Sequence, residues 1–599
     1  MGKRPFGPLK GASKFTKLGT FDLETWGFRA DGDDAFALGV VNLGDGRRYR
    51  FTERDAMVAF LTSRECRGYT MFAHNLSGFD GLCLFGDPSE FFGTENVLLK
   101  GGKWIVARWK DGKNVVRFCD SLNIFQTSIE KIGEALHFPK GDTPQKFILG
   151  THEPITEEDF RYCEQDTEVL LRALELLRDE LGEVRPTAPS LAIHYFQRNF
   201  VDREWWIDDE ADQRFKEAYY GARTEVYFKG DLPEGDNFTY DINSLYPESM
   251  QNGDFPDPSA LTEELSPTHG RFTNILRDFE GCAKLSVECS GTEIGYLPVR
   301  REDRRIIFPL GKFEGTWCFP EIRYALATGT VKIKDISWCV FGPRISSPFK
   351  GFVDTVYPLK VKYAGDFRRE LYKLLQNSLY GKFCEHHIEN EWYCSRFDEA
   401  LYLKLKEKYG DIRWERMDDL SEKGYFKTGP NSTHEARTAH TIFSWGAYIT
   451  SISRVSNARW QDKIRAAGAH VYYTDTDSFV VDRPLPDDWV SPTILGALKL
   501  EKYSRMERID GNKDYTREGG PRQVKGVARG KANGCQIVGY SPTTHRPNAY
   551  QFTRLVRVRE ARRRGLKYGS RLLITKILKD NYDKRVVLEN GGTEPCRLV

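Results

Sequence analysis

Acids that can hold cations fall in two ordered sets along the chain. The first set runs FDLET, with Asp22 and Glu24, then AHNLSGFDG, with Asn75, Phe79 and Asp80, then YCEQD, with Tyr162 and Asp166. Residues i and i+2 of a strand share a face, so Asp22 and Glu24 stand side by side. Tyr162 and Asp166 are four apart in a helical pattern and face the same way. Asp22, Glu24, Asp80 and Asp166 together can bind two metal ions. That is the layout for hydrolysis in which one ion activates water and the other supports the leaving oxygen. Tyr162 is then placed to orient the attacking water. Each member alone has a plainer reading: an acidic strand edge, a core Phe79, a packing Tyr162, a solvated helical aspartate. The ordered combination DxE, NxxxFD, YxxxD is far more specific than any one of them.

The second set runs YDINSLYPESM, with Asp241, Ile242, Ser244, Leu245, Tyr246 and Pro247. It continues with KLLQNSLYGKF, with Lys373, Asn377, Ser378, Tyr380 and Gly381, and ends with YTDTDSF, with Tyr473, Asp475, Thr476, Asp477 and Ser478. Attack of a primer hydroxyl on a dNTP develops charge on both the entering and the leaving oxygen. Two Mg²⁺ ions roughly 3.5–4 Å apart stabilise both. Asp241 and Asp477 are the expected ligands, with Asp475 a third acid on the same strand face. Lys373 on a helix can pair with a triphosphate. Asn377 and Tyr380 lie four and seven residues further on and share its face, which can cover a nascent base pair. Tyr246 can stack under the sugar and exclude a ribose 2′-OH. The plainer readings are a solvated Lys373, a helix C-terminus at Gly381 and a turn at DTD. Acids between the strand-like VYY and SFVV are costly unless something positive meets them.

The elements that must position these residues are legible in outline. A chain of 599 residues needs several domains. Residues 18–188 read as an α/β unit: strands LGTFDLET and GYTMFAHNL alternate with helical EDFRYCEQDTEVLLRALELLRDEL. VRPTAPS, residues 184–190, reads as a linker. Strand-like YDINSLYP, helical FRRELYKLLQNSLYG, helical SWGAYITSISRVSNARW and the hairpin VYYTDTDSFVV follow, with polar segments between them. With 40% hydrophobic and 13% aromatic residues the chain is an ordinary globular one. It has no P-loop motif, no signal-peptide pattern and no membrane-spanning apolar run, which leads to an intracellular expectation. Its 12 cysteines show no CxxC pair, which argues against a zinc site or a disulfide framework. His386 and His387 lack spaced partners and read as surface residues. From Arg522 onward the chain has 18 Lys and Arg against 5 Asp and Glu, while the remainder has 70 against 81. A basic end beside an acidic body suits an enzyme that grips polyphosphate at one end and holds cations at the other, although a solvated basic surface explains the tail equally well.

The first set resembles the three exonuclease motifs of the DEDDy proofreading family. The second resembles the DxxSLYP, KxxxNSxYG and YxDTDS motifs of family B DNA polymerases, and together the two cover most of the chain. YYGAR, from Tyr219 through Gly221 and Ala222 to Arg223, is similar to the YxG(G/A) element of the protein-primed branch found in small tailed phages, adenoviruses and linear plasmids. That resemblance implies an α/β and α+β multidomain fold: an N-terminal RNase H-like exonuclease domain and a right-hand polymerase with two insertions. The implied divisions are 1–187 exonuclease, 188–253 and 437–525 palm, 254–352 first insertion, 353–384 fingers, 385–436 second insertion and 526–599 thumb. It implies metal binding by Asp241, Ile242, Asp477, Asp22, Glu24 and Asp166, with two Mg²⁺ per active site and Mn²⁺ able to take their place. Thr25, Asn75, Phe79, Ser121, Leu122 and Lys140 become strand ligands of the exonuclease, and Leu245 joins the nucleotide site. A KxY motif for the primer end fits Lys513 and Tyr515 better than nearby Lys502 and Tyr503. A helper cation before Lys373 is expected, and Lys360, Lys362, Arg368 and Arg369 all compete for the role.

The implied partners are primer-template and single-stranded DNA, dNTPs and a terminal-protein primer. The implied protein is a monomer without a membrane partner, in the host cytoplasm if phage-encoded. Strand displacement follows from the second insertion. A polymerase of the same fold that starts on nucleic-acid primers or unaided is the alternative. A DNA-binding nuclease with a decayed polymerase half is disfavoured by the intact Asp241, Asp475 and Asp477.

Overall fold

The computed structural model describes residues 3–599 apart from 12–14, 28–34, 101, 292, 388–390, 395, 417–421, 423, 429–435, 438, 528–533, 557–559, 561–563, 565 and 567–569. The side chains of His386 and His387 and much of the basic run near residue 560 therefore lie outside the described residues.

The N-terminal third is built on a seven-stranded mixed sheet. Its order is Arg48–Phe51, Phe36–Leu43, Lys17–Thr25, Tyr69–Ala73, Asn114–Asp120, Lys103–Asp111, Val97–Lys100. Lys17–Thr25 runs parallel to Tyr69–Ala73 and antiparallel to Phe36–Leu43. The strand expected through GYTMFAHNL stops at Ala73, because Asn75 takes a left-handed conformation with φ of 72°. A 25-residue helix, Glu157–Leu181, covers the sheet. Thr156 and Asp159 form a reciprocal capping box at its start, and Gly182, at φ 76°, ends it in the left-handed region that glycine adopts without strain.

The expected linker is shorter than VRPTAPS. A helix already starts at Ala188, capped by the Thr187 hydroxyl with a proline in its first turn, and runs to Asn199. The strand Arg4–Phe6, which the sequence division assigns to the N-terminal domain, crosses over instead and pairs with Trp205–Ile207. Phe6, Phe196, Phe349 and Phe383 surround Trp445 or one another at ring separations of 5.2–6.2 Å. Each buried phenyl ring contributes about 1.5–3 kcal/mol, so this cluster binds the N-terminus, the Ala188 helix and the later helices into one core.

The second sheet has the order Thr224–Val226, Val471–Asp475, Ser478–Val481, Phe238–Ile242, Leu498–Leu500, all antiparallel. YDINSLYP is not one strand. The strand stops at Ile242, Ser244 turns left-handed at φ 57°, and LYP opens the helix Leu245–Asn252. Two helices, Lys350–Lys362 and Phe367–Phe383, pack as a pair, and Phe443–Ala466 runs behind the sheet. Gly381 lies inside its helix, which continues for two more residues, so NSLYG is not a helix end. Residues of the first expected insertion form their own sheet, Thr262–Leu265, Val331–Gly342, Glu280–Cys289, Leu310–Cys318, to which the chain's final strand, Arg597–Leu598, adds in parallel.

Candidate active sites

In the first pocket, strand alternation does the positioning. Phe21, Leu23 and Thr25 point into the core, while Asp22 and Glu24 face the long helix. That helix presents buried Tyr162, Cys163 and Asp166. One carboxylate oxygen each from Asp22, Glu24 and Asp166 lies within 4.8 Å of the others. The Cys163 thiol donates to Asp22 Oδ2 at 3.5 Å. Lys140 Nζ forms an ion pair with Asp166 and sits 5.0 Å from the centre of the Tyr162 ring. The Tyr162 hydroxyl shares a 2.8 Å hydrogen bond with Thr143 Oγ1.

Burial, reinforced by the Asp166 charge, pushes the Asp22 carboxyl up to about 7. Burial and then Asp22 raise Glu24 well above the usual carboxylate range, and burial raises Asp166 against the pull of Lys140. Asp80 opens the helix Asp80–Phe85, stays outside the three-acid group and is also raised well above its usual range, by burial and then by Asp22. Oδ1 of Asp80 and Oδ1 of Asp166 are buried without a hydrogen-bond partner. Unpartnered buried carboxylate oxygens are expensive, and hard divalent cations take oxygen ligands of this kind. The donor set therefore fits a metal site.

The expected strand ligands divide. Asn75 is exposed, Phe79 is half-buried against the core of the N-terminal sheet, and Leu122 is half-buried at a helix start. Ser121 is fully buried, with its hydroxyl donating to the Ala73 carbonyl, and cannot reach a strand through its side chain. Thr25 is likewise corrected: its side chain is 3% exposed and donates to the Gly27 carbonyl. Sequence reasoning missed Asp120. Its carboxylate accepts from the Asn75, Ser77 and Leu122 N–H groups at 2.9–3.0 Å and from the Ser77 hydroxyl at 2.6 Å. It fixes both candidate strand-binding loops at once. The available signal was an aspartate immediately before a Ser-Leu helix start.

In the second pocket Asp241 pairs across the sheet with Ser478, and the Ile242 N–H donates to the Asp477 carbonyl at 2.7 Å. Asp475 and Asp477 are not two residues of one strand face, as expected from the sequence. They flank a tight turn in which Thr476 takes φ 66° and the Asp477 N–H donates to the Asp475 carbonyl at 2.8 Å. A two-residue hairpin turn demands such positive φ values, and the Thr476 N–H is anchored on the Arg223 carbonyl at 2.8 Å. Burial and then Asp241 push Asp477 up to about 7, and burial and then Glu501 push Asp241 up to about 6. Asp475 is compensated by an ion pair with Lys513 at 2.7 Å. Only the backbone carbonyl of Ile242 can serve as a ligand, since its side chain is in the core.

Around these acids stand the expected nucleotide groups. Tyr246 and Tyr380 stack at 4.1 Å with 14° between their planes. Lys373 and Asn377 lie exposed on the same helix face as Tyr380. Leu245 is corrected to a core side chain, 2% exposed, so only its backbone N–H, in a first turn that leaves such donors free, can meet an anion. The four candidate helper cations sit in different surroundings. Lys360 Nζ donates to Ser244 Oγ at 2.7 Å, and burial, then Arg369 and Lys373, lower its ammonium to about 8. Arg368 is held by Asp366, Arg369 by Glu370, and Lys362 lies over Tyr363. Lys513, in a turn at φ 57°, donates its N–H to the Tyr473 hydroxyl at 2.9 Å, with the Tyr515 ring 6.3 Å from that of Tyr473.

In YYGAR, Tyr219 and Ala222 are half-buried and Gly221 is exposed. Arg223 is overturned as a DNA ligand. It is 1% exposed, paired with Glu225 at 3.1 Å and stacked 3.8 Å from the Phe308 ring. A guanidinium so enclosed is structural.

Residues 150–457 match the family model for DNA polymerase type B, organellar and viral. The chain is 24% identical to a probable DNA polymerase of Neurospora intermedia over 78% of its own length and 54% of that protein's. It thus spans about half the length of the fungal relative. It is 25% identical to the DNA-directed DNA polymerase of Enterobacteria phage PRD1, over 88% of this chain and 87% of the other. Among solved structures, Phi29 DNA polymerase complexed with primer-template DNA and incoming nucleotide substrates shares the fold with a TM-score of 0.63, at 17% identity, over 94% of this chain and 100% of that one.

Proposed function

The chain belongs to the type B DNA polymerases of organelles and viruses, and on that premise we propose that it is a template-directed DNA polymerase with a 3′→5′ proofreading exonuclease. The observation that carries this reading is a pair of separate acidic pockets, one at Asp241 and Asp477 beside stacked tyrosines, the other at Asp22, Glu24 and Asp166. The Phi29 enzyme, whose fold is alike, was solved with primer-template DNA and incoming nucleotides, which supports DNA and dNTPs as ligands.

Asp241, the Ile242 carbonyl and Asp477 would hold divalent cations in one pocket, and Asp22, Glu24 and Asp166, with Asp80 adjacent, in the other. Bound Mg²⁺, or Mn²⁺ in its stead, supplies charge stabilisation for the entering and leaving oxygens. The remaining work belongs to this chain's own groups. Lys360 and Lys373, with the first-turn N–H groups of Leu245 and Tyr246, receive the triphosphate. An arriving polyanion favours the charged form of Lys360, whose ammonium is depressed to about 8 by burial and then by Arg369 and Lys373. Tyr246 backed by Tyr380 gives a flat wall for the sugar and excludes a 2′-hydroxyl, and Asn377 covers the new base pair. Lys513 and Tyr515 hold the primer end, while Tyr219, Gly221 and Ala222 line the template path. In the nuclease pocket Asn75, Phe79 and Leu122 grip the frayed strand, Tyr162 orients water, and Lys140 balances the acids. Initiation on a terminal protein, displacement of the non-template strand and action as a monomer complete the reading.

Extension of a primed circular single-stranded template tests it. Mg²⁺-dependent products longer than one circle are expected, together with shortening of a 3′-labelled strand when dNTPs are withheld. Labelling of a candidate terminal protein with dATP tests the mode of priming. Failure to incorporate any nucleotide with either divalent ion refutes the reading.

A further inference from the structure

The end of the chain returns to the second pocket. Residues 582–585, YDKR, lie along Thr224–Val226, the edge strand of the central sheet and the neighbour of the strand that ends in Asp475. The Tyr582 hydroxyl accepts from the Val226 N–H at 3.0 Å. Arg585 is paired with Glu225 at 3.1 Å, both side chains being 1% exposed. Asp583 faces the opposite side, where it pairs with Arg305, and its carbonyl accepts from Arg301 at 3.0 Å. The run thus laces the first expected insertion to the sheet that carries the polymerase acids.

Lys584 stands between these anchors. Its Nζ donates to the Thr224 carbonyl at 3.4 Å. The same carbonyl accepts from Asn512 Nδ2 at 3.3 Å, and the Thr224 hydroxyl donates to Asp475 Oδ1 at 3.2 Å. Lys584 therefore reaches the pocket on the side of Asp475 and Lys513, away from Lys360 and Lys373. An ammonium carries three donors. Among the described residues, Lys584 makes one long hydrogen bond and no ion pair within 4.0 Å. Burial, and after it the Arg305 charge, depress it, while Glu225, then Asp475 and Asp583, act to keep it charged. A half-buried cation with idle donors beside the expected primer end is suited to an anion that arrives from outside.

We propose that Lys584 is a DNA-binding residue of the polymerase pocket, contacting a backbone phosphodiester of the primer-template duplex near the primer end, and that the YDKR run docks it there. The proposal rests on the polymerase reading above. In the sequence Lys584 has no distinction from the other 17 basic residues from Arg522 onward.

The test is the affinity of the full chain for primer-template DNA across a salt series, with Lys584→Ala, Lys584→Gln and Lys584→Arg. Loss of one phosphate contact lowers the slope of log K against log salt by about 1. Ala and Gln variants are expected to bind about 3–10-fold more weakly with that lower slope, while Arg keeps the slope and the dNTP KM is unchanged throughout. Tyr582→Phe, which removes a docking hydrogen bond and no charge, should leave the slope intact. A weakened Ala variant with an unaltered slope would make Lys584 a structural group and overturn the proposal. So would a raised dNTP KM at unchanged DNA affinity, which would make it a triphosphate ligand. A wild-type chain that binds primer-template DNA but does not extend it would sink the polymerase reading and leave the slope comparison able to judge Lys584. One that binds no DNA would sink both.

Discussion

The two acidic pockets, one at Asp22, Glu24 and Asp166 and the other at Asp241 and Asp477, solve the same electrostatic problem differently. In the first, Asp22, Glu24 and Asp166 crowd within 4.8 Å, with Lys140 opposing them and two buried oxygens, on Asp80 and Asp166, left without donors. In the second, the acids are spread over a hairpin turn and a neighbouring strand. Asp475 has its own lysine, and Asp241 and Asp477 are raised to about 6 and about 7. The crowded pocket is held by a single long helix against a strand, while the spread one is held by sheet pairing and by the backbone anchor from Arg223 to Thr476. A site that only hydrolyses can be compact. A site proposed to admit a triphosphate, a template base and a primer end needs room between its acids, and the cations around it come from two helices and a hairpin turn, at Lys360, Lys373 and Lys513.

The largest effect should come from emptying each pocket in turn. Asp477→Ala is expected to cut primer extension by about 10³-fold or more while 3′ degradation continues, and Asp22→Ala to do the reverse. Parallel assays on one labelled primer read both. If either variant lost both activities with its fold intact by circular dichroism, the pockets would not be independent.

A smaller effect probes Lys140, the lysine paired with Asp166. Lys140→Met should slow degradation about 10²-fold and leave extension unchanged. Unaltered degradation would reduce Lys140 to a space-filling role. On the polymerase side, Lys360→Ala should raise the dNTP KM about tenfold, whereas Lys362→Ala should change it less than twofold. Steady-state kinetics at saturating DNA distinguishes them, and equal effects would undo the choice of Lys360.

The smallest effect is one of stability. A carboxyl raised in the folded state favours the protonated form there. Metal-free stability from Asp477 is therefore complete below the unfolded value near 3.8 and is lost as pH rises through about 7. Asp477→Asn mimics the protonated acid, so without metal it should raise the melting temperature by about 2 °C at pH 8 and leave it unchanged at pH 4. A gain of the same size at both values would point to a cause other than charge.

Motif order made the acids readable in the sequence, because Asp22, Glu24, Asp166, Asp241 and Asp477 need only residue type and short spacing. Tyr246, Tyr380 and Lys140 were legible as candidate site residues, but the stacking of the two tyrosines and the pairing of Lys140 with Asp166 were not expected from the sequence. What stayed hidden depends on contacts between distant segments. Arg223 looks like a surface cation in YYGAR and is sealed by the distant Phe308 as well as by its near neighbour Glu225. Thr25 falls on the strand face opposite Asp22 and Glu24, and Ser121 is sealed at a helix start by its hydrogen bond to the Ala73 carbonyl. Lys360 is singled out only once its helix meets Ser244. The Arg4–Phe6 strand pairs with Trp205–Ile207 across about 200 residues, which no local pattern signals.

Anomalous diffraction from crystals soaked in Mn²⁺ is the shortest route to the principal claim. Peaks are expected in two well-separated places, one touching Asp22, Glu24 and Asp166 and one touching Asp241 and Asp477. Manganese bound elsewhere, with both acid clusters empty at saturating concentration and pH 8, would contradict the account.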